Sequence, residues 1–260
     1  MKAKDYIDDL VKRGRYTFSS EEALSALGTQ ANAVYLSLHR LKKQGEIATP
    51  ARGFYTIIPL EYRSLGSLPP EQFIPALMDH LGLAYYAGLL SAAQYYGAAH
   101  HRPQEFQVFV ARNRKPIKCG AVRIAFIARK NVGEVSVQSF NTPAGTIRVS
   151  TPEATALDLV GYYQHAGGMD QVATILSELG EKLDPDKLVA AAKSAPVPWA
   201  QRLGYLLEFV EHNTLTDPLQ EYVQGRARDY TELLPASERK DAQRSARWKL
   251  IINADVEAEL

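Results

Sequence analysis

Between residues 29 and 55 the chain gathers side chains suited to engaging a nucleic acid. Gln30 and Asn32 carry carboxamides, which donate and accept at once and so can pair with an adenine edge. Arg40, Lys43 and Arg52 are cations able to neutralise phosphates or enter a minor groove. Thr29, Ala33 and Leu36 share a helical face with Asn32, and Tyr55 follows on a strand. Leu36 is apolar on that face, and two roles stand open for it: contact with a thymine methyl, or packing against the rest of the chain. The stretch 29–55 nets only +3, from Arg40, Lys42, Lys43 and Arg52 against Glu46, a balance that many solvated helix faces share.

A second cationic cluster, Arg112, Arg114, Lys115 and Lys118, is a candidate for a further nucleic-acid contact, either extending a DNA footprint or engaging RNA. It belongs to a stretch, residues 106–150, with eight Lys or Arg against Glu134 alone, net +7. Residues 151–235 carry six basic and thirteen acidic side chains, net −7, so mutual neutralisation inside one domain is the plainer alternative.

Catalytic patterns are scarce. The chain has no G-x-x-x-x-G-K phosphate loop, no G-x-G-x-x-G, no G-x-S-x-G elbow and no H-E-x-x-H. His100-His101 with Arg102 and Glu105 is the one cluster from which a metal or nuclease site could be built. Adjacent residues diverge along a chain, so a polar turn is the better reading. A nuclease core would also want an acid followed by acid-x-lysine, a spacing that Glu105 with Lys115 or Lys118 does not meet. Cys119 beside Lys118 reads as a buried small side chain rather than a reactive thiol. The expectation is a non-enzyme with no catalytic residue, metal or cofactor.

The elements that must hold the first cluster follow from periodicity. Tyr6, Ile7, Leu10 and Val11 recur at helical spacing before Gly14. Ser19 and Glu22 form a capping box that opens a second helix, which stops at Gly28. Thr29 then caps a third helix with Ala31, Val34, Leu38 and Leu41 as its buried stripe. After Gly45 the period changes to that of two short strands, 46–49 and 53–57, joined around Pro50-Ala51-Arg52. Three helices and a hairpin with a cation at its tip make a winged helix, whose third helix can enter a major groove.

Length and composition set the rest. A chain of 260 residues with 46% hydrophobic and 23% charged side chains is a folded globular protein, long enough for two domains. Pro59, Gly66, Pro69 and Pro70 mark the seam, giving domains 1–64 and 65–260. The fold class is α+β: an N-terminal winged helix-turn-helix, then a larger mixed domain with a helix near 71–80, a tyrosine-rich helix from Ala84 to Gly97, strands between Phe106 and Val149, and helices to Val223. Leu81 to Ala99 lacks charge for nineteen residues, but its glycines, Gln94 and four tyrosines favour a buried helix over a membrane span. One cysteine and an acidic start, MKAKDYIDDL, point to the cytoplasm. The net charge of +1 offers no global attraction to nucleic acid or membrane.

Taken together these residues resemble the AbiEi-type antitoxins of type IV, abortive-infection toxin-antitoxin systems. In the first domain the likeness rests on Phe18-Ser-Ser-Glu-Glu-Ala-Leu, on Val34, Leu38, Leu41, Gly45 and Ile47, and on Arg52-Gly53-Phe54-Tyr55. In the second it rests on the Tyr85-Tyr86 helix ending in Tyr96-Gly97, the basic strands, the run Val149 to Leu159, Gln201 to Glu208, and a closing strand near Arg247 to Asn253. Ser37 departs from the pattern, standing where an apolar residue is expected. The resemblance implies a repressor that binds its own promoter at inverted repeats, and a second domain that antagonises a nucleotidyltransferase-like toxin without needing a stable complex with it. Two rivals remain: a nucleic-acid-cleaving or modifying enzyme using the basic strands, and a winged-helix regulator that senses a ligand through the tyrosine-rich helix.

Overall fold

The structure, a computed structural model, describes residues 2–98, 103–235, 237–239 and 241–259. It is α+β and divides into two compact units. The first comprises residues 1–86, 104–132 and 139–148, and the second residues 87–103, 133–138 and 149–260.

The first unit opens with α1 (Ala3–Lys12), β1 (Thr17–Ser19), α2 (Ser20–Leu27) and α3 (Ala31–Lys43), followed by β2 (Ile47–Ala51) and β3 (Phe54–Ile57). The capping box forms as its residues require: the Ser19 hydroxyl accepts from the Glu22 amide at 3.1 Å, and the Glu22 carboxylate accepts from the Ser19 amide at 2.8 Å. Gly28 then closes α2 at φ 61°, a left-handed value that glycine adopts without penalty. Tyr6, Ile7 and Leu10 of α1, Ala23 and Leu27 of α2 and Val34, Leu38 and Leu41 of α3 meet Phe18, Ile47 and Ile57 in one core.

Four details differ from the sequence expectation. The N-cap of α3 is Gln30, whose side chain makes no capping bond, so Thr29 stands one residue outside. Ala31 is exposed, and the buried stripe is carried by Val34, Leu38 and Leu41. The hairpin turns at Arg52-Gly53, because β2 runs on through Pro50 and Ala51 past an irregularity in the ladder. The wing also has a third strand, since β1 pairs with β3 in the order β1-β3-β2. Ser37 tolerates its position by donating its hydroxyl to the Ala33 carbonyl at 2.9 Å, one turn back.

Beyond the Pro-rich stretch come α4 (Pro70–Leu81), β4 (Tyr85–Ala87), α5 (Leu89–Tyr95), β5 (Phe106–Val110), β6 (Ile117–Cys119), β7 (Val122–Ala128), β8 (Val137–Thr142) and β9 (Gly145–Ser150). The tyrosine-rich helix expected over Ala84 to Gly97 does not form. Tyr85 and Tyr86 lie on a strand, Gly88 is extended, and Leu89 takes φ 51° as the first residue of a helix only seven residues long. No helix among the described residues is long and apolar enough to cross a membrane.

Strands β4 to β9 form one sheet in the order β6-β7-β5-β4-β9-β8, with β5 parallel and β6 antiparallel to β7. Most of this sheet lies in the first unit. That unit also includes the Pro-rich 59–70 segment: the Ala121 amide donates to the Leu65 carbonyl at 2.8 Å, and Ala48 and Ile58 pack with Cys119, Ile117 and Tyr62.

The second unit is mainly helical: α6 (Pro152–Gly161), α7 (Met169–Leu179), α8 (Pro185–Ala192), α9 (Val197–Phe209) and α10 (Thr216–Arg226). Thr151 caps α6 by accepting from the Ala154 amide at 3.3 Å, with Pro152 at the first helical position. Three short strands complete the unit, β10 (Thr231–Glu232), β11 (Gln243–Ser245) and the central β12 (Leu250–Ile252), the closing strand. Gln201 of α9 binds this sheet through its amide nitrogen, which donates to the Lys249 carbonyl at 2.7 Å and to Trp248 and Asp229 at 3.2 Å.

Candidate nucleic-acid interface

Burial decides which way α3 faces. Val34 and Leu38 are each 1% exposed and seal it against α1 and α2, whereas Thr29, Gln30, Asn32, Ala33, Arg40 and Lys43 are exposed. Leu36 is 59% exposed, so of the two roles open to it the packing one is not filled. Two residues of the same face were missed by inspection of the sequence. Tyr35 is 44% exposed and flanks Leu36, and His39, seven residues after Asn32 and so on its side of the helix, is exposed. A helical projection carried through every position would have found both.

The wing supplies Arg52, exposed at the turn. Tyr55 is only half buried: its ring stacks on Phe18 with centroids 5.1 Å apart, and burial, with Tyr35 and Glu21 nearby, pushes its hydroxyl above the usual phenol range. It therefore stays neutral and can donate a hydrogen bond. At the other end of α3, burial pushes the Cys119 thiol up, opposed by Ser67, the Lys42 charge and the Thr49 backbone. A thiol held protonated in this way is a packing group, not a nucleophile.

Lys42 is thus close to β6, and the second basic cluster lies on β6, at Lys118, and in the segment leading into it. Arg112, Arg114, Lys115 and Lys118 are all exposed, and none forms an ion pair among the described residues. Lys118 pairs in register with Arg123 across β6 and β7, and the Arg114 guanidinium lies 5.8 Å over the Phe126 ring. The structure therefore brings the helix, the wing and the basic strands into the same compact unit, which holds 18 Lys or Arg against 10 Asp or Glu, net +8. The second unit holds 12 against 19, net −7.

The segments considered for chemistry resolve differently. His100, His101 and Arg102 lie outside the described residues, and no cluster of three or more metal-ligating side chains occurs among those described. Tyr86 is wholly buried, stacked on Phe109 at 4.9 Å and accepting from Arg129 at 3.2 Å, so it fills a core. In the second unit, the run Ser150 to Asp158 is an internal brace. The Ser150 and Thr155 hydroxyls are 2.7 Å apart, the Ser150 carbonyl accepts from Tyr96 at 2.5 Å, and the buried Glu153 accepts from the Asp184 amide at 3.2 Å.

These features define a winged-helix protein with an appended α+β region, and the comparisons with known proteins give it a family. Residues 5–58 match the family described as "Transcriptional regulator, AbiEi antitoxin", and residues 86–209 match the "AbiEi antitoxin C-terminal domain". The chain belongs to the AbiEi antitoxin family of transcriptional regulators. The crystal structure of the RV2827C protein from Mycobacterium tuberculosis shares the fold, with a TM-score of 0.68 over 96% of this chain and 90% of that one, at 14% identity. No curated protein matches the chain by sequence.

Proposed function

We propose that this chain is an autoregulatory repressor and antitoxin, which binds its own promoter at inverted repeats and antagonises a nucleotidyltransferase-like toxin. Residues 1–64 are the DNA-binding module and residues 65–260 the antitoxin-type region. The chain acts in the cytoplasm, catalyses no reaction, and does not require a lasting complex with the toxin.

The observation that carries this reading is the exposed face of α3. Gln30 and Asn32 lie near its N-terminal end, the end that reaches base edges when a recognition helix enters a major groove. Thr29, Ala33 and Leu36 line the approach, Leu36 against a thymine methyl. Arg40, Lys43, Arg52 and the Tyr55 hydroxyl take phosphates. Arg112, Arg114, Lys115 and Lys118 prolong the phosphate track, because unpaired exposed cations in a unit of net +8 gain most from counterion release.

The test is titration of a fluorescent duplex, carrying the sequence upstream of this chain's own gene, at several salt concentrations. Arg52→Ala should weaken binding and lower the salt slope by about one ion, while Asn32→Ala should weaken binding to that duplex but not to a scrambled one. Equal affinity of the unaltered protein for both duplexes would overturn the repressor reading. Co-expression with the product of an adjacent nucleotidyltransferase-like gene tests the antitoxin half, and growth arrest undiminished by this chain would refute it.

A further inference from the structure

The wing turn that presents Arg52 is held by a residue outside the winged helix. His80, in the last turn of α4, places Nε2 at 3.4 Å from the Arg52 carbonyl oxygen. A carbonyl can only accept, so the ring proton sits on Nε2 in this contact. The imidazole also lies against Phe54, with ring centroids 5.4 Å apart at a 44° tilt. Gly53 is enclosed from both sides: a Cβ there would stand 3.1 Å from Ser20 Oγ and 3.8 Å from the His80 ring. Its carbonyl accepts from the Ser20 amide at 2.8 Å.

The turn is therefore gripped by α2 on one side and by α4 on the other. The groups facing His80 are the Arg52 carbonyl on the wing, the Phe54 ring on β3 and the Glu21 carboxylate on α2. The two-residue tip, with its glycine at φ 76°, is closed by the Ala51–Phe54 pair and by the Ser20–Gly53 bond, and His80 adds the hold on the Arg52 peptide itself; a looser Arg52 would pay a larger ordering cost on binding.

We infer that His80 is a positioning residue for nucleic-acid binding: by clamping the Arg52-Gly53 turn it sets the direction in which the Arg52 guanidinium meets a duplex. This rests on the repressor reading, and the experiment keeps the two apart. His80→Ala, His80→Gln, Arg52→Ala and the His80→Ala/Arg52→Ala double variant are titrated against the upstream duplex over a range of salt. His80→Ala should bind about three- to tenfold more weakly, the size of one lost hydrogen bond, and with a salt slope about one ion lower. The double variant should bind no worse than Arg52→Ala, because the clamp has nothing left to aim. His80→Gln should recover most of the loss, since its amide can donate to the same carbonyl. Additive losses, failure of Gln to recover binding, or unaltered binding by His80→Ala would each overturn the inference.

Hydrogen exchange in the DNA-free protein gives a readout that needs no duplex. The Ser20 amide, bonded to Gly53, should exchange at least about fivefold faster in His80→Ala, within the local-opening range of a loosened turn. Unaltered exchange overturns the clamp whether or not DNA is bound. Faster exchange together with no duplex binding by the unaltered protein upholds the clamp and overturns the repressor reading.

Discussion

Glu22 shows how one side chain serves the winged-helix fold. It closes the capping box at the start of α2 and accepts from Arg15 at 2.6 Å. Partial burial works against its charge, but the Arg15 guanidinium and the Ser19 amide outweigh it and hold the carboxyl below its ordinary value. A carboxyl depressed in the folded state contributes stability that is present above the unfolded value, about 4.3, and is lost as pH falls through the lower folded value. Thermal unfolding followed by circular dichroism from pH 6 down to pH 3 should therefore show a steeper loss in the unaltered protein than in Glu22→Gln; parallel curves would refute this role. The capping box was legible in sequence because it spans only four residues. Tyr35 and His39 were equally local, yet were passed over because an aromatic ring and a lone imidazole do not stand out by type. His80 had no sequence signal at all, since its partners lie 26 to 28 residues earlier and meet it only through tertiary packing.

Among the elements, periodicity located α1, α2, α3, α4 and the wing hairpin, all of which have alternating or amphipathic patterns. It failed at β1, which is three residues long and shows nothing but a capping signal, and at β4. The segment around β4 is apolar throughout, so helix and strand periods cannot be told apart there. It also gave no hint that β6 and β7 belong in the same unit as the winged helix. The joint between them depends on Gly120. At φ 59° it lies against the Leu65-Gly66 turn, where a Cβ would come within 2.3 Å of the Leu65 carbonyl oxygen. Backbone cannot yield as a flexible side chain does, so Gly120→Ala should cost about 1–3 kcal/mol. Urea denaturation measures the loss, and exchange of the Ala121 amide, bonded to that carbonyl, should rise with it. An unshifted urea midpoint would mean that the joint is slack.

For the molecule as a whole, the α+β class and the order of winged helix before mixed region were legible from pattern alone, whereas the packing of the helical unit was not. There Gly204 lets Trp248 lie flat on α9: a Cβ would stand 2.0 Å from the ring, which is fully buried and donates from Nε1 to Glu208 at 2.7 Å. Gly204→Ala should destabilise this unit by about 1–3 kcal/mol through overpacking. It should also shift the emission of Trp248, read cleanly in a Trp199→Phe background because the chain has two tryptophans. Unaltered emission would place the ring elsewhere. The opposed net charges of the two units, +8 and −7, carry a practical consequence. A sum of +1 suggests a protein that ignores ion-exchange resins near neutral pH. Segregated charge instead lets cationic and anionic matrices each find a face to hold, so retention on both, released by moderate salt, is the chromatographic signature of this chain.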